Sequence, residues 1–218
     1  MRIASAFLSL DDILDLLYGY DIRKIDVYDL GLVTEGTSAR RVIDPFRFSL
    51  EDCARVIALG VAIDAHVLFD IVAVGRSTVL HEIPTASDLR DFNAREQPEV
   101  WEDVVRVYEL LRYQYRMGAT LATALLHMKR PSLIPVLLES SVSLYTNSAV
   151  VIASEMKFGV PLYWEAIRQD LLWNETALNA LRSALTERVD SRSAKLLTLS
   201  DLRLICMIAE QYGSMLLP

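Results

Sequence analysis

The chain has 218 residues, 52% of them hydrophobic and 23% charged, with a formal net charge of −7. That apolar content excludes a disordered chain, and a domain of this size buries about 70% of its unfolded surface without a metal or disulfide staple. Its 8 glycines and 7 prolines are too few for the turns of an all-β sandwich or barrel. The acidic excess lies in the first half: residues 1–100 carry 17 acids against 10 bases, and residues 101–218 carry 12 of each. Such a chain is a poor non-specific nucleic-acid binder, because the phosphate backbone rewards clustered Lys and Arg. Any nucleic-acid contact therefore needs a local basic patch in the second half.

In chain order, helix signals dominate. Ser9, with Asp12 three residues on, caps a helix running to about Tyr18 and stopped by Gly19. Ile25, Val27 and Leu30 leave residues 21–34 open to an extended reading, broken by Gly31 and Gly36. Ser49 with Asp52 caps a second helix that stops near Gly60. Residues 64–83 read as one or two helices interrupted at Gly75, and residues 84–98 as a polar connector. Glu99 to Arg116 is the clearest helix: Val100, Val104, Tyr108, Leu111 and Tyr115 form one apolar stripe. Its other face offers Glu102–Arg106 and Glu109–Arg112 pairs. Gly118 separates it from a small-residue helix, Ala119 to Met128. Pro131 and Pro135 flank a connector before a helix predicted over Val136 to Tyr145, and another follows at about 148–157. Pro161 opens a helix carrying Trp164, Ile167 and Leu171, and Asn174 caps one carrying Leu178, Leu181 and Leu185. Thr198 with Asp201 caps the last helix, which bears Leu202, Ile205, Ile208 and Tyr212. The fold class is mostly α: a compact multi-helix single domain of about eight to eleven helices by ordinary helix lengths. Residues 1–45 form an N-terminal helix and irregular segment, and residues 46–218 the main helical domain.

Chemistry-bearing motifs are few. Cys53 and Cys206 sit in apolar helical patterns and read as buried free thiols, which suits a reducing, cytoplasmic setting. No apolar signal-peptide core precedes Asp11, Asp12 and Asp15, and no apolar run is long enough to span a bilayer. His66, His81 and His127 lack a second His or Cys at ligand spacing, so each reads as structural or solvated; neither a metal nor a cofactor is expected. The sequence contains no nucleophile elbow, phosphate-binding loop or dinucleotide fingerprint. The acid pairs Asp11-Asp12 and Glu102-Asp103 suit helix N-terminal charges better than paired catalytic carboxylates.

One stretch interleaves aromatics with arginines. Residues 108–118 read YELLRYQYRMG, and Lys129-Arg130-Pro131 follows the next helix. A helix–Gly–helix turn of this kind presents backbone N–H groups to a phosphate, with Arg and Tyr beside them. The nucleic-acid or phosphate-binding candidates are Arg112, Tyr113, Arg116, Gly118, Thr120, Lys129 and Arg130. The competing reading makes Tyr108, Leu111 and Tyr115 core, and Arg112 and Arg116 the solvated face opposite.

Residues 116–136, RMGATLATALLHMKRPSLIPV, resemble the helix-hairpin-helix core of DNA base-excision glycosylases. The wider pattern is similar to an uncharacterised bacterial family, a domain of unknown function. It includes FSLEDCARVIALGV at 48–61, EIPTASDLRDF at 82–92, YWEAIRQDL at 163–171 and LSDLRLICMIAEQYG at 199–213. The glycosylase resemblance implies a hairpin with two glycines, of which only Gly118 is present; the other position falls on Tyr115 or Arg116. The hairpin Lys of bifunctional enzymes falls on Thr120, and the catalytic Asp on Leu137 or Leu138. A leucine neither assists base departure nor activates water. Glu139 is rotated from that position about 100–200° around the predicted helix, and a distant acid such as Glu165 or Asp170 is the alternative source of a carboxylate.

The resemblance thus implies a glycosylase-like scaffold without its chemistry. The leading expectation is a non-catalytic helical protein that binds a macromolecular partner. The alternatives are a nucleic-acid-binding or glycosylase-like enzyme using the Gly118 hairpin, and a small-molecule enzyme with a site assembled from distant residues. No membrane partner is expected.

Overall fold

The computed structural model describes residues 1–4, 6–21, 23–25, 44, 46–74, 79–83, 85, 87–92, 98–146 and 162–216. The expected helix at 148–157 and most of the 21–34 segment lie outside these residues.

The chain opens on a small antiparallel hairpin absent from the sequence expectations. Strands β1 (Arg2–Ile3) and β2 (Ala6–Phe7) pair Arg2 with Phe7 and Ile3 with Ala6. Two-residue strands cannot stand alone. This pair is held by Asp170, which accepts from the Ala4 N–H at 2.6 Å and from the Arg2 guanidinium at 3.3 Å.

Helix α1 (Leu10–Gly19) and helix α2 (Leu50–Ala58) start at the expected capping boxes. The Asp12 N–H donates to Ser9 Oγ at 3.1 Å, and the Ser9 N–H donates back to Asp12 at 2.9 Å. Ser49 and Asp52 repeat the arrangement, and Gly60, at φ +88°, ends that segment. Helix α3 (Ala65–Val74) and two short 3-10 turns (Val79–Glu82 and Leu89–Asp91) lead to helix α4 (Pro98–Glu109). Helix α5 (Ala119–Lys129) follows the expected break at Gly118.

The Val136–Tyr145 expectation is corrected. Residues 139–146 are helical, while Leu137 and Leu138 precede the helix. The Leu137 backbone is clamped from α5: its N–H donates to Thr123 Oγ1 at 3.1 Å, and its carbonyl accepts from the Thr120 hydroxyl at 2.8 Å. A peptide held on both sides in this way cannot join the helix. Glu139 therefore opens the helix, exposed, rather than lying a turn away from the leucines.

Helix α6 (Leu162–Trp173) and helix α7 (Glu175–Glu187) follow the expected positions. Asn174 stands at the α7 N-cap, but its side chain turns to the N-terminal hairpin instead, accepting from the Arg2 N–H at 2.7 Å. A further helix, α8 (Ser191–Thr198), is capped by Asp190 and absorbs Thr198, so the expected Thr198 cap gives way to Ser200. Helix α9 (Asp201–Leu216) buries Leu202 through Glu210 and Gly213. It is the axis of the core: α1, α6 and β1 all pack on it. Ile3, Leu17 and Ile25 from the N-terminal segment share one buried cluster with Trp164, Leu178 and Met207. The molecule is mostly α, in one compact domain.

Candidate functional site: the 108–118 turn and its aromatic floor

The expected single helix over 99–116 is α-helical only to Glu109. Leu110–Gln114 then form a π-helical turn, closed by the Tyr115 N–H on the Leu110 carbonyl at 3.3 Å. Such inserted turns cluster at functional sites, because the extra residue re-aims side chains that a plain helix would align. Leu111 and Met117 stay buried as anchors on either side. Between them Tyr113 is 73% exposed, and Arg116 is also exposed. The stripe inferred from periodicity stays on the core side through this turn, with Val104 and Leu111 buried and Tyr108 and Tyr115 packed against the core; Val100 lies among side chains outside the description.

Arg116 adopts φ +52°, a left-handed conformation uncommon for a non-glycine residue. Gly118, which as a glycine between two helices would be the natural residue to supply that conformation, has φ −62° and acts as the N-cap of α5. A Cβ at Gly118 would meet nothing within 4 Å. The tight point of the hairpin is therefore Arg116.

Arg112 donates from Nη1 to the Tyr108 hydroxyl at 3.1 Å, which, with the Tyr108 and Tyr113 rings nearby, holds its guanidinium pKa above the ordinary value. The guanidinium carbon lies 5.7 Å from the Tyr108 ring centroid and 5.8 Å from that of Tyr113. Tyr108 meets Trp164 edge-on at 5.3 Å, and Trp164 stacks on Trp101 at 5.9 Å. An aromatic floor from α4 and α6 thus underlies the turn. Trp164 was legible as a core residue from periodicity; its place beneath Arg112 was not, because the two helices are far apart in sequence.

The other expected cations are not on this surface. Lys129 is buried and pairs with the equally buried Asp52 at 2.7 Å, while also donating to the Asp44 carbonyl at 3.0 Å. Arg130 is 1% exposed. Its guanidinium donates to the carbonyls of Leu80, Ile83 and Lys129. These carbonyls belong to short irregular segments that lack ladder partners, and the fork-shaped guanidinium serves three of them at once. Thr120 is the inward clamp on Leu137, not an outward ligand group. Of the seven sequence candidates, Arg112, Tyr113, Arg116 and Gly118 remain together on the turn.

The two distant acids weighed for the catalytic position, Asp170 and Glu165, both have partners elsewhere. Leu137 is buried and Leu138 half-buried where the glycosylase resemblance puts an Asp. Asp170 is occupied by Ala4, Arg2 and the Tyr145 hydroxyl, the last at 2.8 Å, and its burial raises its pKa. Glu165 contacts Arg168 at 3.4 Å.

His127 is buried, bonds the Ile134 carbonyl through Nδ1 at 2.6 Å, and has its pKa lowered to about 3, chiefly by burial and secondarily by Arg203. His66 is exposed, and exposed His81 stacks on Phe46 at 4.1 Å. These are the structural and solvated roles expected of them. Cys53 and Cys206 are buried free thiols with pKa raised to about 11 by burial. Among the described residues no three His, Cys, Asp or Glu gather as metal ligands, and no helix is long and apolar enough to cross a membrane.

No curated protein and no solved structure matches the chain. The model of a family of unknown function, DUF6308, matches residues 35–213, which span the turn, its aromatic floor and α5; the chain belongs to that family.

Proposed function

We propose that this protein is a non-catalytic helical protein that binds a macromolecular partner through the 108–118 turn. The observation carrying this reading is the turn itself. An exposed tyrosine, Tyr113, is carried by a π-helical insertion, and an exposed arginine two residues beyond the end of that insertion, Arg116, holds a left-handed backbone. Strain of this kind is retained where it aims a side chain. Large amphipathic aromatics and arginines are also the residue types that carry binding energy at interfaces.

The helix-hairpin-helix origin belongs to the same proposal. It rests on the resemblance of residues 116–136 and on the helix–turn–helix from α4 to α5. The absence of chemistry rests on Leu137 and Leu138 at the expected carboxylate position, with Leu137 fixed by Thr120 and Thr123. A nucleic-acid partner is disfavoured, since Lys129 and Arg130 are committed inside and the net charge is −7. A cytoplasmic setting is part of the reading and is supported by the two free thiols.

The test has two arms. Incubation with duplexes carrying a panel of damaged bases should release no base, and duplex binding should be weak and lost at moderate salt. Base release abolished by changing one carboxylate to its amide would overturn the non-catalytic reading. Tight, salt-resistant binding lost in Arg112→Gln/Arg116→Gln would replace the proposal with a nucleic-acid binder.

A further inference from the structure

Asn174 closes one edge of the N-terminal hairpin by imitating a strand: its side-chain amide accepts from the Arg2 N–H and donates to the Arg2 carbonyl. The opposite edge is open. Met1 and Leu8 exchange both of their backbone hydrogen bonds, at 2.8 and 2.7 Å. Hydrogen-bonded and non-bonded pairs alternate along an antiparallel ladder, so the next pair, Arg2 and Phe7, turns its N–H and C=O groups outward. Those of Arg2 meet Asn174, and those of Phe7 meet no partner among the described residues. The Phe7 side chain is 79% exposed and stands on the same face as its cross-strand neighbour Arg2. The Arg2 guanidinium in turn lies 4.5 Å from the ring centroid of Trp173, which is 66% exposed. Proteins ordinarily blunt such an edge with a charged side chain or a proline. Ala6, Phe7 and Leu8 supply neither.

We propose that this edge pairs with the same edge of a second copy of the chain, antiparallel across a two-fold axis at Phe7. The N–H of each Phe7 donates to the carbonyl of the other, and two marginal hairpins become one four-stranded sheet. Its outer face then carries Trp173, Arg2 and Phe7 from each copy in one row. A second copy fits this edge better than an unrelated strand. The edge offers the bonds of one residue, because the Ser9 N–H is already held by Asp12. A foreign strand gains those two bonds, whereas a second copy also sets one phenyl ring against the other, the kind of cross-strand pair that stabilises sheets. Residues 6–8 are uncharged, so two chains of net charge −7 meet where neither carries a charge. The area also suffices. Aromatic side chains bury about 150–250 Å² each, so Phe7 and Trp173 together offer about 300 Å² per copy. That is more than half the apolar share of an interface of about 800 Å² per partner. Leu172 and Leu10, 47% and 39% exposed, lie close to them in the chain. So small an interface makes the dimer reversible rather than obligate. The edge uses no residue of the 108–118 turn, so this proposal and the partner reading fail separately.

Sedimentation equilibrium of the full chain, from about 1 to about 500 μM, should show the mass rising from one chain to two. Phe7→Lys changes an exposed side chain outside the core and should weaken the dimer about tenfold or more, while Val189→Lys, at another exposed position, should leave it unchanged. Amide exchange of the unaltered chain reads the bond itself: the Phe7 N–H should exchange more slowly as the dimer fills. The axis is tested by mild oxidation of Phe7→Cys, which should give a disulfide-linked dimer far faster than Val189→Cys at equal concentration, since Cys53 and Cys206 are buried. The proposal is overturned if the chain stays monomeric throughout, or if a dimer forms and survives Phe7→Lys. It is overturned equally if the Phe7 amide exchanges at one rate in monomer and dimer, or if Phe7→Cys cross-links no faster than Val189→Cys.

Discussion

Arg116 holds its left-handed backbone at a cost of about 1–2 kcal/mol for an L-residue. Arg116→Gly relieves that strain but loosens the unfolded chain, so stability should be unchanged or rise by up to about 1 kcal/mol in denaturant unfolding. A clear loss of stability would show that the side chain, and not the display, is what the turn needs. Lys129 behaves in the opposite way. Lys129→Ala strands Asp52 in the core and should cost about 3–5 kcal/mol, a structural failure rather than a loss of binding. A melting temperature within a degree or two of wild type would contradict the buried pair. His127 adds a pH dependence. Its folded pKa of about 3 lies below the unfolded value of about 6.5, so the unfolded state binds the extra proton between them. Stability should fall as pH drops below about 6.5 toward 3, and His127→Gln should lose this component; an unchanged slope in that variant would contradict it.

Close approach between elements is most exacting where α9 crosses the 139–146 helix. A Cβ on Gly213 would overlap the Ser140 carbonyl, whose carbon would lie 2.9 Å away. Backbone cannot yield as a flexible side chain does, so Gly213→Ala should destabilise by about 2–3 kcal/mol, whereas Gly118→Ala should be nearly neutral. Equal melting temperatures for the two variants would refute this contrast. The sequence points to Gly118 because a glycine between helices usually supplies a special backbone, while Gly213 looks like an ordinary helix interior. The difference is tertiary: only the packing of two helices distant in sequence reveals which glycine lacks room for a methyl group. Capping boxes at Ser9 and Ser49 were legible because their chemistry closes within four residues. The N-terminal hairpin and the late start of the 139–146 helix were not, since Asp170 and the Thr120–Thr123 clamp act from far along the chain.

Across the whole molecule, helical class and the Gly118 break follow from periodicity, and four of the candidate residues remain on one turn. The burial of Lys129 and Arg130 is not legible in the sequence, because a basic dipeptide at a helix end looks solvated unless its buried carboxylate and carbonyl partners are known. The π-helical turn has no sequence signature of its own; the apolar stripe continues through it while the geometry changes. The proposed partner surface is this turn and not some other exposed face. A photo-cross-linking residue placed at Tyr113 in cells tests it directly, with Val189, fully solvated, as the control position. A discrete adduct of reproducible mass is expected from position 113, absent from position 189 and weakened by Arg116→Glu. No adduct at 113, or one equally formed at 189 and indifferent to Arg116→Glu, would contradict it.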